Sequence, residues 1–424
     1  MIELTIKEDS MNYTCSVVTI TKVFDIPGAD HIQRTVVSGN NIIVLKNVNV
    51  GDRMLYFVSG TKLSETYCRF NNLFDKAEWN ADINKKGFIH HKQCRVKAIK
   101  LKNIISDGLL MPVASLDAFD VNIKHHIKLG DAFTDIDGYS LCEKYVVIPV
   151  ESSTQQGEKT PNQKKSNKLK ELIVDHQFQF HHETEHFARH LSKFQPDTEI
   201  IITRKMHGSS LILSHVLIHK TLSWKETIAR FFGIPIPTSE YGMIWSSGKP
   251  KGKLPKGVAS ATNQWETPNP SYYTSDIWAR AYKDIGHTVE KGISIYGEIV
   301  GEGIQGKLFT YNQEYNIYVY RITQTSVDGH VVEFSWEQVK KYCYKYGLNH
   351  VQHYFVGKVK EISQGDLLET LQLLYLNKSY PDCKIDEGIC IRLRETDEIF
   401  KLKSPNFIKL ESDQQEKGIE EKES

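Results

Sequence analysis

The sequence predicts an α+β protein, with a small strand-rich region first and a larger mixed domain behind it. Three observations carry this expectation. Residues 1 to about 120 hold short apolar runs separated by turn signals. Residues 152–168 are polar and nearly free of apolar side chains, the mark of a linker or long exposed loop. Beyond them, β-branched runs return, and residues 363–378 carry helical apolar spacing behind a Ser/Asp cap. A length of 424 residues allows two to three domains, and 40% hydrophobic with 10% aromatic residues is ample for real cores.

In the first region, Val17–Ile20 precedes the turn signal Asp25-Ile26-Pro27-Gly28-Ala29-Asp30. Ile42–Leu45 and Met54–Val58 follow, with Asn49-Val50-Gly51-Asp52 as a turn between them. Cys94–Leu101 alternates polar and apolar residues, as a half-buried strand does. Short strands at this spacing suggest a small barrel. Arg95, Lys97, Lys100 and Lys102 lie near Lys85, Lys86, Lys92, Phe88, His90 and His91. Cations interleaved with an aromatic suit a nucleic-acid groove; a solvated strand face is the competing reading.

The most informative segment is Ile200-Ile201-Ile202-Thr203-Arg204-Lys205-Met206-His207-Gly208-Ser209-Ser210. An apolar run delivers a lysine to a glycine and two small hydroxyl residues. A lysine at a strand end can act as a nucleophile once its ammonium loses a proton. The glycine lets backbone approach a ligand closely. Alone, such a segment is more often a solvated strand end.

Four further segments follow in order: Ile295-Tyr296-Gly297-Glu298-Ile299-Val300-Gly301-Glu302-Gly303-Ile304-Gln305-Gly306, Asn316–Ile322, Asp386–Leu393 and Ile399–Phe407. Together the five resemble motifs I, III, IIIa, IV and V of the covalent nucleotidyltransferases, the superfamily of polynucleotide ligases and mRNA capping enzymes. Within it the resemblance is to ATP-dependent RNA ligases, which carry K-x-H-G-T/S and G-E-x-x-G-x-G-I-Q forms of motifs I and III. The first region, ending in Ile105–Pro112, resembles the OB domain at the front of one RNA ligase family. DNA ligases and capping enzymes usually place that domain after motif V, so the order here favours RNA ligase.

The resemblance implies an amino-terminal OB-like β-barrel (1–125) and an antiparallel-sheet nucleotidyltransferase, or ligase adenylylation, domain (170–410); composition sets a connector with the polar linker (126–169) between them and an acidic disordered tail (411–424) after them. It implies that Lys205 attacks the α-phosphate of ATP and carries AMP. Glu298 would bind the ribose hydroxyls. Tyr320 would stack on adenine, with Tyr318 as second choice. Glu387 would hold Mg2+ or Mn2+ through water, with Glu298 as a further candidate. Lys401 and Lys403 would contact the α-phosphate. His207 and Gly208 would complete the nucleotide site, with His207 where many relatives have aspartate. Arg204 departs from the glutamate several members carry there. The implied partner is RNA, as a nicked or broken strand or an RNA/DNA duplex, and a monomer is expected.

The chemistry fits those residue types. Free lysine has a pKa of about 10.4 and is protonated at neutral pH. Neighbouring cations would lower it. Lys401 and Lys403, two apart on a strand, share one face, opposite Leu402. Phosphoryl transfer needs in-line positioning and charge neutralisation more than covalent help.

Overall charge does not decide the partner: 53 basic and 52 acidic side chains leave +1. Six acids and two lysines in 411–424 suggest a solvating end. Seven scattered cysteines without a C-x-x-C pair suggest a reducing compartment. No signal peptide or membrane span is evident, so a cytoplasmic location is expected. His182, His186 and His190 recur at helical spacing and could share one face; zinc is the sharp reading, a solvated helix the bland one. Trp245–Lys256 forms a Gly/Pro-rich basic loop suited to phosphate contacts.

Overall fold

The structure is a computed structural model, and it describes residues 2–119, 122–146, 172–181, 184–248, 255–262, 264–265, 276–305, 311, 314–396 and 398–417. The polar segment 152–168, His182, Gly306, residues 249–254 of the basic loop and residues 418–424 lie outside the described residues.

The amino-terminal domain is a set of short antiparallel sheets. Its central sheet runs Leu109–Pro112, Arg53–Phe57, Cys15–Thr19 and Ala132–Phe133. A three-stranded sheet of Val23–Asp25, Ile32–Val37 and Asn40–Leu45 stands beside it. The two predicted turns form as the sequence indicates. Gly28 and Gly51 take positive φ values of 70° and 94°, and Asp52 accepts the Asn49 N–H at 2.7 Å. Leu55, Phe57, Tyr67, Leu116 and Phe133 are buried at the domain's centre.

The expected half-buried strand over 94–101 is shorter than the alternation suggests. Cys94 adopts φ 51°, Arg95 makes a single antiparallel bridge to Lys62, and the continuous strand is Ala98–Leu101, paired with Ile104–Asp107. The cause is tertiary. Arg95 turns inward and is buried against the carboxy-terminal helix.

The larger domain consists of two antiparallel-dominated sheets. In the first, strand β1 (Glu199–Arg204) pairs with β2 (Gly388–Leu393) and with His353–Lys358, and β3 (Ile399–Lys403) pairs with β2. In the second, β4 (Ser209–His219) lies between Ser239–Ser246 and β5 (Ile293–Val300), and β5 pairs with β6 (Asn316–Thr325). Alternation places Phe400 and Leu402 in the first sheet's core, with Ile200, Ile202, Ile389 and Ile391. The second core gathers Leu211, Leu213, Ile295, Ile299, Val319, Trp278 and Trp336.

The predicted helix over 363–378 forms as Leu367–Tyr375. Asp366 caps it, its side chain accepting the Glu369 N–H at 3.0 Å. The last described element is helix α1 (Pro405–Glu416). Residues 411–416, assigned from charge to a solvated tail, continue this helix. Their polar side chains grip the amino-terminal domain, which charge counting alone does not reveal. The histidine segment is not one helical face: Glu185–His186 is a strand residue pair beside β3, and Phe187–Arg189 is a single 3-10 turn. His190 pairs with Glu185 instead.

Candidate active site

The chain crosses from the first sheet to the second between Arg204 and Ser209, and Lys205 lies on that crossover. Its backbone N–H donates to Gly388 O at 2.9 Å, which ties it to the start of β2. Gly388 sits at φ 130°, and a Cβ there would meet Leu402 O at 2.1 Å. Glycine is therefore required where Glu387 hands the chain to the strand. Asp386 is buried and accepts from Ser404 Oγ at 2.8 Å, Lys378 N–H at 3.2 Å and Gly388 N–H at 3.1 Å. It locks the entry to β2 against the exit of β3.

These constraints put both sheets' polar residues into one cleft. The first sheet contributes Lys205, His207, Glu387, Lys401 and Lys403; the second contributes Ser210, Glu298 and Tyr320. Lys205 Nζ stands 2.7 Å from Glu387 Oε1. Glu387 Oε2 faces His207 Nδ1 at 3.7 Å and accepts no hydrogen bond among the described residues. Glu298 Oε1 accepts the Gly208 N–H at 2.9 Å. A bulge in the β5–β6 ladder at Tyr296/Gly297 leaves Tyr320 opposite no partner, between the pairs Gly297–Val319 and Tyr296–Arg321. Bulges re-aim a side chain, and Tyr320, not Tyr318, lines the cleft.

Electrostatics correct one expectation. Burial works to lower the Lys205 pKa. The Glu387 carboxylate, with smaller help from Cys390 and Glu298, outweighs it and holds the lysine well above its ordinary value. Burial pushes Glu387 up, but Lys205, His207 and Lys403 together bring it below the ordinary glutamate value. The resting lysine is an ammonium in an ion pair, not an amine activated by cations. Lys403, expected to lower the Lys205 pKa, has its Nζ 2.9 Å from Glu411 Oε2 on α1.

Arg204, the departure beside the lysine, is turned away into a structural role. It forks onto Asp382 at 3.0 and 3.1 Å and lies 3.7 Å over the Tyr380 ring.

Residues 198–403 match the family model described as RNA ligase, and residues 14–113 match one described as an OB-fold domain. The chain carries an RNA ligase family domain behind an OB-fold domain. Among solved structures, a lysine-to-methionine variant of Naegleria gruberi RNA ligase with AMP and Mn is 17% identical, with 94% of this chain and 99% of that chain covered and a TM-score of 0.56. An apo aspartate-to-alanine variant of the same ligase is 16% identical, with coverages of 95% and 100% and a TM-score of 0.57. A lysine-to-alanine variant with ATP and Mn is 16% identical, with coverages of 94% and 99% and a TM-score of 0.56. At these identities the likeness is one of fold. No curated protein sequence matches the chain.

In and around the cleft of this RNA ligase domain stand residues to which sequence reasoning gave no role. Gln305 Nε2 donates to Gly208 O at 2.7 Å, so the segment carrying Glu298 holds the glycine at both its N–H and its carbonyl. Tyr311 Oη accepts the His207 N–H at 3.1 Å, and Trp278 Nε1 donates to Ser210 O at 2.8 Å. Arg392 borders the cleft and sits 3.3 Å from Glu333. The amino-terminal part of the chain reaches the same cleft with Tyr13, and the connector with Lys144 and Tyr145. Gln305 and Arg392 lie within the motif segments quoted above, whereas Tyr311, Trp278, Tyr13, Lys144 and Tyr145 have no local sequence signal, because each arrives by long-range packing. Of the basic residues read as a nucleic-acid face, Arg95 is buried and Lys97 pairs with Glu416 at 2.6 Å. Lys85, Lys86, Phe88, Lys92 and Lys100 are exposed. No helix among the described residues is long and apolar enough to cross a membrane.

The packing around Gly208 yields a prediction. A Cβ there would lie 2.1 Å from Ile299 O and 3.0 Å from Glu298 Cγ. Gly208→Ala must push β5, and Glu298 with it, away from Lys205. An ångström-scale misplacement costs about 100-fold in rate. Single-turnover adenylation by Gly208→Ala is expected to fall by about that factor, with the melting temperature lowered as well.

Proposed function

We propose that this protein is an ATP-dependent RNA ligase that joins 3′-hydroxyl and 5′-phosphate ends, at nicks in a duplex, through a lysyl-AMP intermediate. The observation that supports this best is the convergence of Lys205, Glu298, Tyr320, Glu387, Lys401 and Lys403 on one cleft from two sheets. These are six residues from five separated segments, and an ordinary fold has no reason to gather them.

Each residue has a part in the chemistry. Tyr320 offers a ring for the adenine, and Glu298 a carboxylate for the ribose hydroxyls. Lys401 and Lys403 neutralise the α-phosphate oxygens. Lys205 Nζ attacks the α-phosphorus and pyrophosphate leaves. The AMP then passes to the 5′-phosphate of the RNA, and a 3′-hydroxyl displaces it. Mg2+ or Mn2+ supplies charge neutralisation and favours oxygen ligands with retained waters. The residues fit it: Glu387 Oε2 is buried and accepts no hydrogen bond among the described residues, so a metal-bound water has an acceptor there. Glu298 is a second carboxylate lining the cleft.

Before attack, Lys205 must leave Glu387 and lose a proton. Cation binding at Glu387 would remove the charge that holds the ammonium. A phosphate arriving between the sheets would compete with Glu411 for Lys403.

The test is incubation with α-labelled ATP or GTP, followed by addition of 5′-phosphate nicked duplexes with RNA or DNA on the 3′-hydroxyl side. Alkali-stable, acid-labile label from ATP, as a lysine phosphoramidate gives, discharged by the RNA-sided nick with sealing, is the expected result. Label from GTP alone, or label that never reaches a nick, would overturn the proposal.

A further inference from the structure

The amino-terminal domain holds a side-chain cluster that none of the ligase motifs uses. Asp75, His90 and His91 each offer a ligand atom, and these atoms all lie within 4.8 Å of one another. None of the three lines the Lys205 cleft.

Local backbone pairing builds the cluster. Asp75 N–H donates to Ile89 O at 2.8 Å, and His91 N–H donates to Asp75 Oδ1 at 3.2 Å. The chain then turns, with Gln93 N–H and Cys94 N–H both reaching His90 O, at 3.1 and 2.9 Å. Successive side chains on extended backbone point apart. Here the rings of His90 and His91 stack, with centroids 4.9 Å apart, and Trp79 closes on His91 at 5.1 Å.

The nitrogens are the decisive feature. Nδ1 of His90 and Nδ1 of His91 are both buried, and neither has a hydrogen-bond partner among the described residues. His91 is 6% exposed, and its Nδ1 stands 3.5 Å from Asp75 Oδ1, at ion-pair rather than hydrogen-bond distance. Buried polar atoms are normally paired, so two orphaned lone-pair nitrogens beside one carboxylate want a cation between them.

We propose that Asp75, His90 and His91 form a binding site for a divalent transition-metal cation of the zinc type. Two imidazoles and a carboxylate suit Zn2+, with water completing a tetrahedron. Mg2+, which prefers an all-oxygen shell, does not suit it. The cation would fasten residues 74–75 to the 89–91 segment. It would thereby fix the loop that carries the exposed Lys85, Lys86, Phe88 and Lys92.

The test uses the full chain, stripped with chelator, dialysed and titrated with Co2+, whose visible d–d bands report a tetrahedral site. One equivalent is expected to bind, to be displaced by Zn2+ and to raise the melting temperature by several degrees. His90→Ala and Asp75→Asn should each weaken Co2+ binding at least tenfold while lysine adenylation persists. Because His91 is buried, the wild-type titration decides the question without any variant. Absence of the bands, or a thiolate charge-transfer band marking cysteine ligation, would overturn the site. So would unchanged binding in His90→Ala. Any of these results leaves Asp75–His91 as a plain ion pair.

Discussion

Lys205→Met is expected to form no protein-bound adenylate, a fall of about 10⁶-fold or to background, the scale on which removal of a covalent nucleophile acts. The more discriminating variant is Glu387→Gln. In the resting protein Glu387 holds Lys205 as an ammonium. The sign of each contribution follows from its direction. The raised Lys205 pKa stabilises the fold fully below about 10.4, its unfolded value, and that stability is lost as pH rises through the higher folded value. The lowered Glu387 pKa stabilises the fold above about 4.3 and is lost as pH falls through its depressed folded value. Neutral pH lies inside both windows, so the pair is intact there. Glutamine removes the charge while keeping the shape. The largest contribution holding the Lys205 pKa up is then gone, burial is opposed only by the smaller pull of Cys390 and Glu298, and each unit lowered raises the free-amine fraction about tenfold. Labelling of Lys205 by an amine-acylating reagent at pH 7.5 should therefore rise by about tenfold or more in Glu387→Gln. Adenylation should fall, because the carboxylate that would hold the cation is gone. Mass spectrometry of labelled peptides measures the first effect. An equally unreactive Lys205 in the glutamine variant would mean that burial, not Glu387, protects it.

The sequence made the candidate cleft legible because its residues arrive with local grammar. Lys205 precedes His207-Gly208, Glu387 precedes the glycine that the φ 130° backbone requires, and Lys401 and Lys403 alternate with core residues. Each of these is a short-range consequence of strand period or glycine freedom. The α+β class was legible for the same reason, as was the capped helix at Leu367–Tyr375. Three features were not. The charge state of Lys205 depends on a carboxylate 182 positions away in sequence, so neighbouring residues carry no sign of it. Lys403 meets Glu411 only because α1 folds back beside β3. Arg95 and Lys97 look like a cationic groove in sequence, since nothing local distinguishes a cation facing RNA from one facing a helix.

That helix sets up the second large effect. Arg95 is 1% exposed, and its guanidinium forks onto α1. One nitrogen donates to Ser412 O at 2.7 Å and Ser412 Oγ at 3.2 Å, and the other to Gln415 Oε1 at 2.7 Å. Ser412 Oγ also accepts the Ala98 N–H at 3.1 Å, and Lys97 reaches Glu416. Burial lowers the Arg95 pKa, and the acids Glu416, Glu411 and Asp413 of α1 push back against that. Hydrogen bonds to a charged donor contribute about 1.5–3 kcal/mol each, and a buried carbonyl left unpaired adds a further penalty. Arg95→Ala is thus expected to destabilise the docked arrangement by about 2–5 kcal/mol, the scale for losing hydrogen bonds from a charged donor and leaving a buried acceptor unpaired. Arg95→Lys should rescue little, because an ammonium cannot reproduce the planar fork. The consequence reaches the cleft, since the helix that Arg95 grips also carries Glu411, the partner of Lys403. Calorimetry should show the OB-fold domain melting several degrees earlier, and limited proteolysis should cut α1 first. A variant that melts with the wild type would mean that Arg95 is not what holds the two domains together, and the search would move to Arg189, which donates to Met11 O and Asn12 O at 2.6 and 2.8 Å.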